Sequence, residues 1–311
     1  MRLELLSIFL NVLDSGSLAA AARLTHMSQP SVSAALSVLE SEVGQALLMR
    51  TPGQRKPIRP TPAGEVFAQY AQKALTDYQA MRAALMTASG EVPGPVRIGV
   101  TPSPGSAVLP VLAQRFREVS PSIQLQVRTF SGAEIFRRLK LREYDLAITG
   151  THPQEDGLAF DRFFYDPVVL ICPGSFGIHG PISLRRLRTL PLVVRHRSSG
   201  NLMRLLSQAL ERAGVSFDSL NVVMQVSGNN DVLSSVALGA GAGFIARSLL
   251  AAGGGNAGVE EVPVKRLRVD RYLYLVRREN APFTGGLRLF WEFALSMGWR
   301  ENIFAYNTLL L

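Results

Sequence analysis

The sequence predicts an α/β protein in three parts: a helical N-terminal segment with a helix-turn-helix, one long helix, and a strand–helix region divided into two lobes. Three observations carry this prediction. Residues 17–50 read as two short helices parted by a tight turn. Residues 63–89 contain no proline, and no glycine after Gly64. Beyond Pro95, β-rich runs such as Val96-Arg-Ile-Gly-Val100 alternate with helical stretches.

Residues 3–14 form a first helix, with Leu5, Ile8, Phe9 and Val12 on one side. Ser17 caps an Ala-rich second helix, its hydroxyl able to accept an orphan backbone N–H. Ser28 opens a third, with Pro30 in the first turn, where its missing N–H costs little. Val32, Leu36, Leu39 and Val43 recur at helical spacing and make an apolar face; Gly44 stops the helix. The other face carries Gln29, Ser31, Ser33, Ala34 and Ser37. Short, mostly polar side chains on a helix with its N-terminus outward fit a major groove and approach base edges and phosphates. For two helices alone, the competing reading is an ordinary helical hairpin. Next, Leu47–Arg50 leads into the loop Thr51–Pro60; Arg50, Arg55, Lys56 and Arg59 are basic and no acidic residue lies among them. Pro and Gly mark turns there. A basic hairpin tip suits phosphate or minor-groove contact, the alternative being a solvated loop.

In the long helix, Phe67, Tyr70, Ala74, Tyr78, Met81 and Leu85 recur at i+3 or i+4. One apolar stripe with few core neighbours in sequence calls for a partner helix, or else packs on its own domain. Gly90–Pro95 is a linker.

The segment Leu5–Gly64 resembles the winged helix-turn-helix of LysR-type transcriptional regulators. The matching marks are Phe9, Gly16-Ser17, Ala20-Ala21, Leu24, Ser28-Gln29-Pro30, Ser33, Leu39-Glu40, Gly44, Leu47, Arg50 and Thr61-Pro-Ala-Gly64. The resemblance implies a cytoplasmic regulator, a homodimer or homotetramer bound to double-stranded promoter DNA and responsive to a small molecule. It implies a winged helix-turn-helix over 1–62, a linker helix that dimerises over 63–90, and an effector domain over 91–311. The DNA-contacting positions it carries over are Ser28, Gln29, Pro30, Ser31, Ser33, Ala34, Ser37, Arg50, Arg55 and Lys56. The wing departs from the family: it is longer than usual, and Pro60 stands where an apolar strand residue is expected.

After the linker, Val96–Val100, Ile123–Thr129 and Asp145–Thr149 read as strands, with helices near Val108–Val119 and Ala133–Leu141. The grammar repeats with strands Val168–Cys172, Leu192–Arg195, Val222–Val226 and Gly243–Ala246, and helices Leu202–Ala213 and Val232–Gly239. Tyr272–Arg277 and Thr284–Ser296 return the chain as a strand and a helix. This alternation argues for parallel sheets. Two lobes crossed twice describe a periplasmic-binding-protein-like domain, which the family carries: lobe I over 95–166 and 268–301, lobe II over 167–267. Gly253–Gly258 is expected to be a mobile loop.

In such sheets ligands lie beyond the carboxyl ends of strands, at helix N-termini. Thr101-Pro-Ser-Pro-Gly-Ser106 follows a strand, and by resemblance Ser103 is an effector contact. In Phe130-Ser131-Gly132 the family often has Ser or Thr at the Gly132 position, so either Ser131 substitutes or this chain makes no such interaction. Arg195-His-Arg-Ser-Ser-Gly-Asn201 precedes a helix, where Ser and Gly form an anion nest and Arg195 or Arg197 adds charge. The candidate effector residues are therefore Thr101, Ser103, Ser131, Gly132, Arg195, Ser198, Ser199 and Asn201; each could instead be a cap or turn residue. The second-lobe turn resembles the branch of sulfur- and carbon-assimilation regulators, whose effectors are often anionic. A small anion in the interlobe cleft is expected.

Composition bounds the alternatives. Of 311 residues, 47% are hydrophobic and 18% charged, enough apolar content for sizeable cores. A single cysteine, Cys172, excludes an internal disulfide framework and a Cys-cluster metal site, and suits a reducing compartment. Arg2 and Glu4 argue against a signal peptide, and no run of about 18 apolar residues suggests a membrane span. The net charge is +9, but residues 1–92 hold 8 Lys/Arg against 7 Asp/Glu, whereas residues 93–311 hold 25 against 17. The excess of +8 thus lies outside the helix-turn-helix, where it raises general attraction to DNA or favours an anionic ligand. Gly239-Ala-Gly-Ala-Gly243 follows a helix and precedes a strand, the wrong order for a dinucleotide fingerprint. His26, His152, His179 and His196 lack metal-ligand spacing, and no Gly-x-Ser-x-Gly elbow exists. No catalytic set and no cofactor are expected. The alternative function is a stand-alone small-molecule-binding protein of the same α/β fold; an enzyme ranks third.

Overall fold

The computed structural model describes residues 2–49, 58–88, 94–151, 155–196, 200–252, 258–283 and 285–297. Helices α1 (Leu3–Ser15), α2 (Leu18–Leu24) and α3 (Gln29–Val43) close a small core in which Phe9, Val12, Val32, Leu36, Leu39 and Leu47 are buried together. Gly16 and Gly44 end α1 and α3 at φ 62° and 75°, a left-handed conformation that favours glycine. The Ser28 hydroxyl accepts the Ser31 N–H at 3.2 Å, as a cap should. Ser17 departs from expectation. It occupies the cap position of α2, but its hydroxyl accepts no backbone N–H; its carbonyl instead accepts the Ala21 N–H and the Ser15 hydroxyl. Burial of Ala20, Ala21 and Leu24 holds α2 in place.

The wing follows. One carboxylate oxygen of Glu40 accepts the N–H groups of Leu47 and Leu48, fixing strand β1 (Leu48–Met49) to α3. β1 pairs antiparallel with β2 (Arg59–Pro60), with Leu48 opposite Pro60. A two-stranded ribbon tolerates proline because an edge position need not donate. The long helix α4 (Pro62–Ala88) begins over a close approach: a Cβ at Gly64 would run into the Leu47 carbonyl. The apolar stripe read from α4 divides. Phe67 stacks edge-to-face on Phe9 at 5.2 Å, and Ala74 joins the same core. Tyr70, Tyr78, Met81 and Leu85 stay exposed on the single chain.

The remaining elements are β3 (Val96–Val100), α5 (Pro102–Val119), β4 (Leu125–Thr129), α6 (Gly132–Lys140), β5 (Leu146–Thr149), β6 (Leu158–Tyr165), β7 (Val168–Pro173), α7 (Leu184–Thr189), β8 (Leu192–Arg195), α8 (Gly200–Arg212), β9 (Val222–Val226), α9 (Asn229–Ala237), β10 (Ala242–Ala246), α10 (Arg247–Ala252), β11 (Val259–Glu261), β12 (Tyr272–Arg278) and α11 (Gly285–Ser296). Among the described residues they build two five-stranded sheets, ordered β4-β3-β5-β12-β6 and β11-β7-β10-β8-β9. The sheets are mixed rather than parallel. β3, β4 and β5 run together, as do β8, β9 and β10, but β12 lies antiparallel to β5 and β6, and β7 antiparallel to β10. A strand arriving from the other lobe enters at the cleft edge, where the native strands of that lobe finish, so it runs against them.

Two further differences bear on the site. α5 starts at Pro102 rather than Val108, because prolines in a first turn remove no needed N–H, so the segment expected as a loop is helix. β6, β11, α7 and α10 carry no clear signal in the sequence pattern. Of the predicted Gly253–Gly258 loop, residues 253–257 lie outside the described residues. α2 packs on β6: the Arg23 Nε donates to the Tyr272 hydroxyl at 2.9 Å, and His26 Nε2 lies 3.4 Å from an Asp161 carboxylate oxygen. Arg82 of α4 pairs with Glu292 of α11. Among the described residues no helix is long and apolar enough to cross a membrane.

Candidate DNA-contacting face and interlobe cleft

On α3, burial of Val32, Leu36 and Leu39 turns the opposite face outward. Ser28, Gln29, Pro30, Ser31, Ala34 and Ser37 are exposed and Ser33 is half-buried. The structure thus presents these seven candidates together at one end and one side of the helix. Their hydroxyls are already partly engaged: Ser28 and Ser31 share a hydroxyl–hydroxyl hydrogen bond of 2.7 Å, and Ser37 donates to the Ser33 carbonyl at 3.1 Å. Each hydroxyl keeps acceptor capacity for an outside partner. The face carries no Lys or Arg. Arg50, Arg55 and Lys56 of the wing lie outside the described residues.

The cleft is assembled around the end of β5. The Thr101 N–H donates to the Ile148 carbonyl at 3.0 Å, which seats the start of α5 beside that strand. Gly150 comes next, and its carbonyl accepts the side-chain amide of Asn201 from α8, so the two lobes touch here. Asn201 thus bridges the lobes, and its amide oxygen accepts a hydrogen bond from Arg204. Gly150 must be glycine: a Cβ would lie 2.7 Å from the Arg271 guanidinium.

Arg271 cannot give way. It is 5% exposed and donates to Asp166 at 2.5 Å, and Asp166 also accepts the Ser248 N–H and hydroxyl at 3.0 and 2.9 Å. Asp166 and Arg271 stand on the two crossover segments, which further pair through Asp166 N–H to the Arg271 carbonyl. This buried ion pair fastens the two crossover segments to each other. Nothing in the local sequence couples residues 105 positions apart; the signal is absent from pattern and present only in space.

Arg195 ends β8 and lies near Arg271. Its guanidinium donates to the Ser227 carbonyl at 3.0 Å and to the Asn229 side chain at 3.3 Å, which makes Asn229 a further candidate that the sequence does not announce. Burial, and then the nearby Arg271 cation, pull the Arg195 guanidinium below its ordinary value, with Asp231 opposing. Arginine nevertheless remains charged. Arg271 is neutralised by Asp166, whereas among the described residues Arg195 has only neutral acceptors. In the first turn of α5, the buried Ser103 hydroxyl has no hydrogen-bond partner among the described residues. Such a group is costly to leave unpaired. Ser131 caps α6 by accepting the Glu134 N–H, which realises its capping role, and Gly132 lies beside Thr151. Ser198 and Ser199 lie outside the described residues.

Comparison with known proteins agrees with this geometry. Residues 3–65 match the family described as "Bacterial regulatory helix-turn-helix protein, lysR family", and residues 89–298 match "LysR substrate binding domain". The chain is 27% identical over 252 residues to the HTH-type transcriptional regulator CysL of Bacillus subtilis, covering 80% of this chain and 82% of that one. Its fold is similar to full-length CbnR in complex with target DNA, at a TM-score of 0.56 and 20% identity, over 95% of this chain and 99% of that one. The regulatory domain of Synechocystis PCC6803 CcmR, in complex with 2-PG, aligns at a TM-score of 0.58 and 18% identity, over 67% and 98%. With both parts matched and the second covering most of its length, the chain belongs to the LysR family of transcriptional regulators, which are not enzymes.

Proposed function

We propose that this regulator is a cytoplasmic homo-oligomer, a dimer or tetramer, that senses a small anion in the interlobe cleft and reads promoter DNA with α3. The observations that carry the anionic reading are the half-buried Arg195 guanidinium, whose hydrogen-bond acceptors among the described residues are neutral, and the buried Ser103 hydroxyl, which has no hydrogen-bond partner among the described residues. A carboxylate, phosphate or sulfate gains charge-assisted hydrogen bonds from both. The related CcmR regulatory domain was solved with 2-PG, which supports the same class. Thr101, Ser103, Arg195, Ser198 and Ser199 are the proposed contacts, with Ser131 and Gly132 at the edge. By favouring one interlobe geometry, the effector shifts the spacing of the two α3 helices through α4. The division proposed is DNA binding over 1–62, linker over 63–90 and effector binding over 91–311.

The test is a thermal-shift and calorimetric screen of carboxylates, phosphates and sulfates, followed by electrophoretic shift on the chain's own upstream DNA. Ser103→Ala and Arg195→Gln should abolish the response to the hit and leave effector-free DNA binding intact; a neutral apolar effector refutes the reading. For α3, Ser33→Ala should cost about 1–3 kcal/mol on specific sites and little on random DNA. Equal loss on both leaves only a phosphate contact.

A further inference from the structure

The charge excess of this protein has an address. Of the +8 carried by residues 93–311, residues 167–267 hold ten Lys/Arg against five Asp/Glu, a net of +5 from less than half the length. Residues 167–210 include six arginines and no carboxylate at all. In space, three of these arginines join two more cations. α7 buries Leu187 and turns Arg185, Arg186 and Arg188 outward. The strand-like segment before α7 runs parallel to residues 263–265: Ile182 bridges Val264, its N–H donates to the Pro263 carbonyl, and its own carbonyl accepts the Lys265 N–H. Lys265 and Arg266 therefore emerge beside the start of α7, both exposed, with Arg266 held at φ 65°. Among the described residues none of the five makes an ion pair, whereas neighbouring Arg247 and Arg268 pair with Glu261 and Asp270.

We propose that this surface of lobe II is a second, sequence-independent DNA-binding site that takes the phosphate backbone flanking the sequence read by α3. The proposal rests on the chain being a DNA-binding regulator and extends it to the effector domain. Three features select polyphosphate over an acidic protein. The patch has no exposed large apolar side chain, which a protein interface needs at its centre. Four of its five cations are arginines, whose planar fork matches phosphate. The DNA-reading part needs the help: residues 1–92 net only +1, and the exposed face of α3 bears no cation. Non-specific affinity for DNA comes from cation–phosphate contacts that release counterions.

The experiment uses the full chain with Arg185, Arg186, Arg188, Lys265 and Arg266 all changed to Gln. A control chain loses five exposed charges elsewhere, at Arg117, Arg128, Arg142, Arg212 and Arg288. Affinity for upstream DNA and for a random duplex is measured across a salt series, after circular dichroism has matched the melting curves. The slope of log affinity against log salt should become shallower by at least about 2 for the patch variant, at ~0.9 for each phosphate no longer neutralised, and far less for the control. Random-duplex affinity at low salt should fall about ten-fold or more. Equal slopes in wild type and patch variant, or equal changes in both variants, overturn the proposal. If wild-type protein fails to bind its upstream DNA at all, the underlying regulator reading falls instead. A transcription defect with unchanged purified-DNA binding would assign the patch to an acidic protein and also overturns it.

Discussion

The side-chain amide of Asn201 donates to the backbone carbonyl of Gly150 at 2.5 Å, joining the second lobe to the first at the mouth of the cleft. The contact ties α8 of the second lobe to the residue that follows β5 in the first. Asn201→Ala removes the bridge and also frees Arg204. A net loss of about 0.5–1.5 kcal/mol is expected in urea denaturation of the full chain. No change in midpoint would mean that solvent replaces the contact without cost.

The buried Arg271–Asp166 pair should be far more sensitive. Arg271→Met strands the Asp166 carboxylate in a buried setting with only the Ser248 donors left, and should cost about 3–5 kcal/mol. Gly150→Ala attacks the same place from the other side, because its Cβ would lie 2.7 Å from a guanidinium that cannot move; about 1–3 kcal/mol is expected for such overpacking. Urea midpoints for the two variants check both figures. A loss below about 1 kcal/mol for Arg271→Met would show that the pair is dispensable.

Assembly through α4 can be tested without threatening the fold. Tyr70 is 69% exposed and Met81 49% exposed on the single chain, so a charge at either place is tolerated by a monomer. In a helix-paired interface the same charge would be buried and unpaired. Tyr70→Glu and Met81→Glu should therefore lower the mass seen by light scattering while leaving the circular dichroism spectrum unchanged. Unchanged mass in both takes this helix out of the interface.

Cys172 lies in β7, and burial pushes its thiol up to about 11, with Glu260 adding to the effect. The raised value favours the neutral thiol, so the folded state carries no penalty below the ordinary thiol range and loses stability as pH rises from there towards about 11. At pH 8 the reactive thiolate is a fraction on the order of one in a thousand. A disulfide-exchange reagent should leave Cys172 untouched at pH 8 and label it fully once urea unfolds the chain. Rapid labelling of native protein would contradict the burial.

Local chemistry decided much of this protein in advance. Ser28 before Pro30, Gly44 after Val43 and the apolar repeat Val32-Leu36-Leu39 depend only on neighbours within a turn or two, so α3 and its outward face were legible from residues alone. The same holds for β3, β8 and β9, whose bounds match the runs read from sequence. Where the local signal was ambiguous it misled: prolines that look like turn formers lie harmlessly in the first turn of α5, and Ser17 takes the cap position without its hydroxyl. What only the tertiary structure decided depends on distant partners. The reversal of β7 and β12 follows from the chain crossing between lobes. The Arg271–Asp166 ion pair, the Asn201–Gly150 bridge and the gathering of Arg185, Arg186, Arg188, Lys265 and Arg266 each join segments far apart in sequence. Periodicity and capping act over a few residues, whereas burial of charge and the closing of a cleft are settled only when remote segments meet.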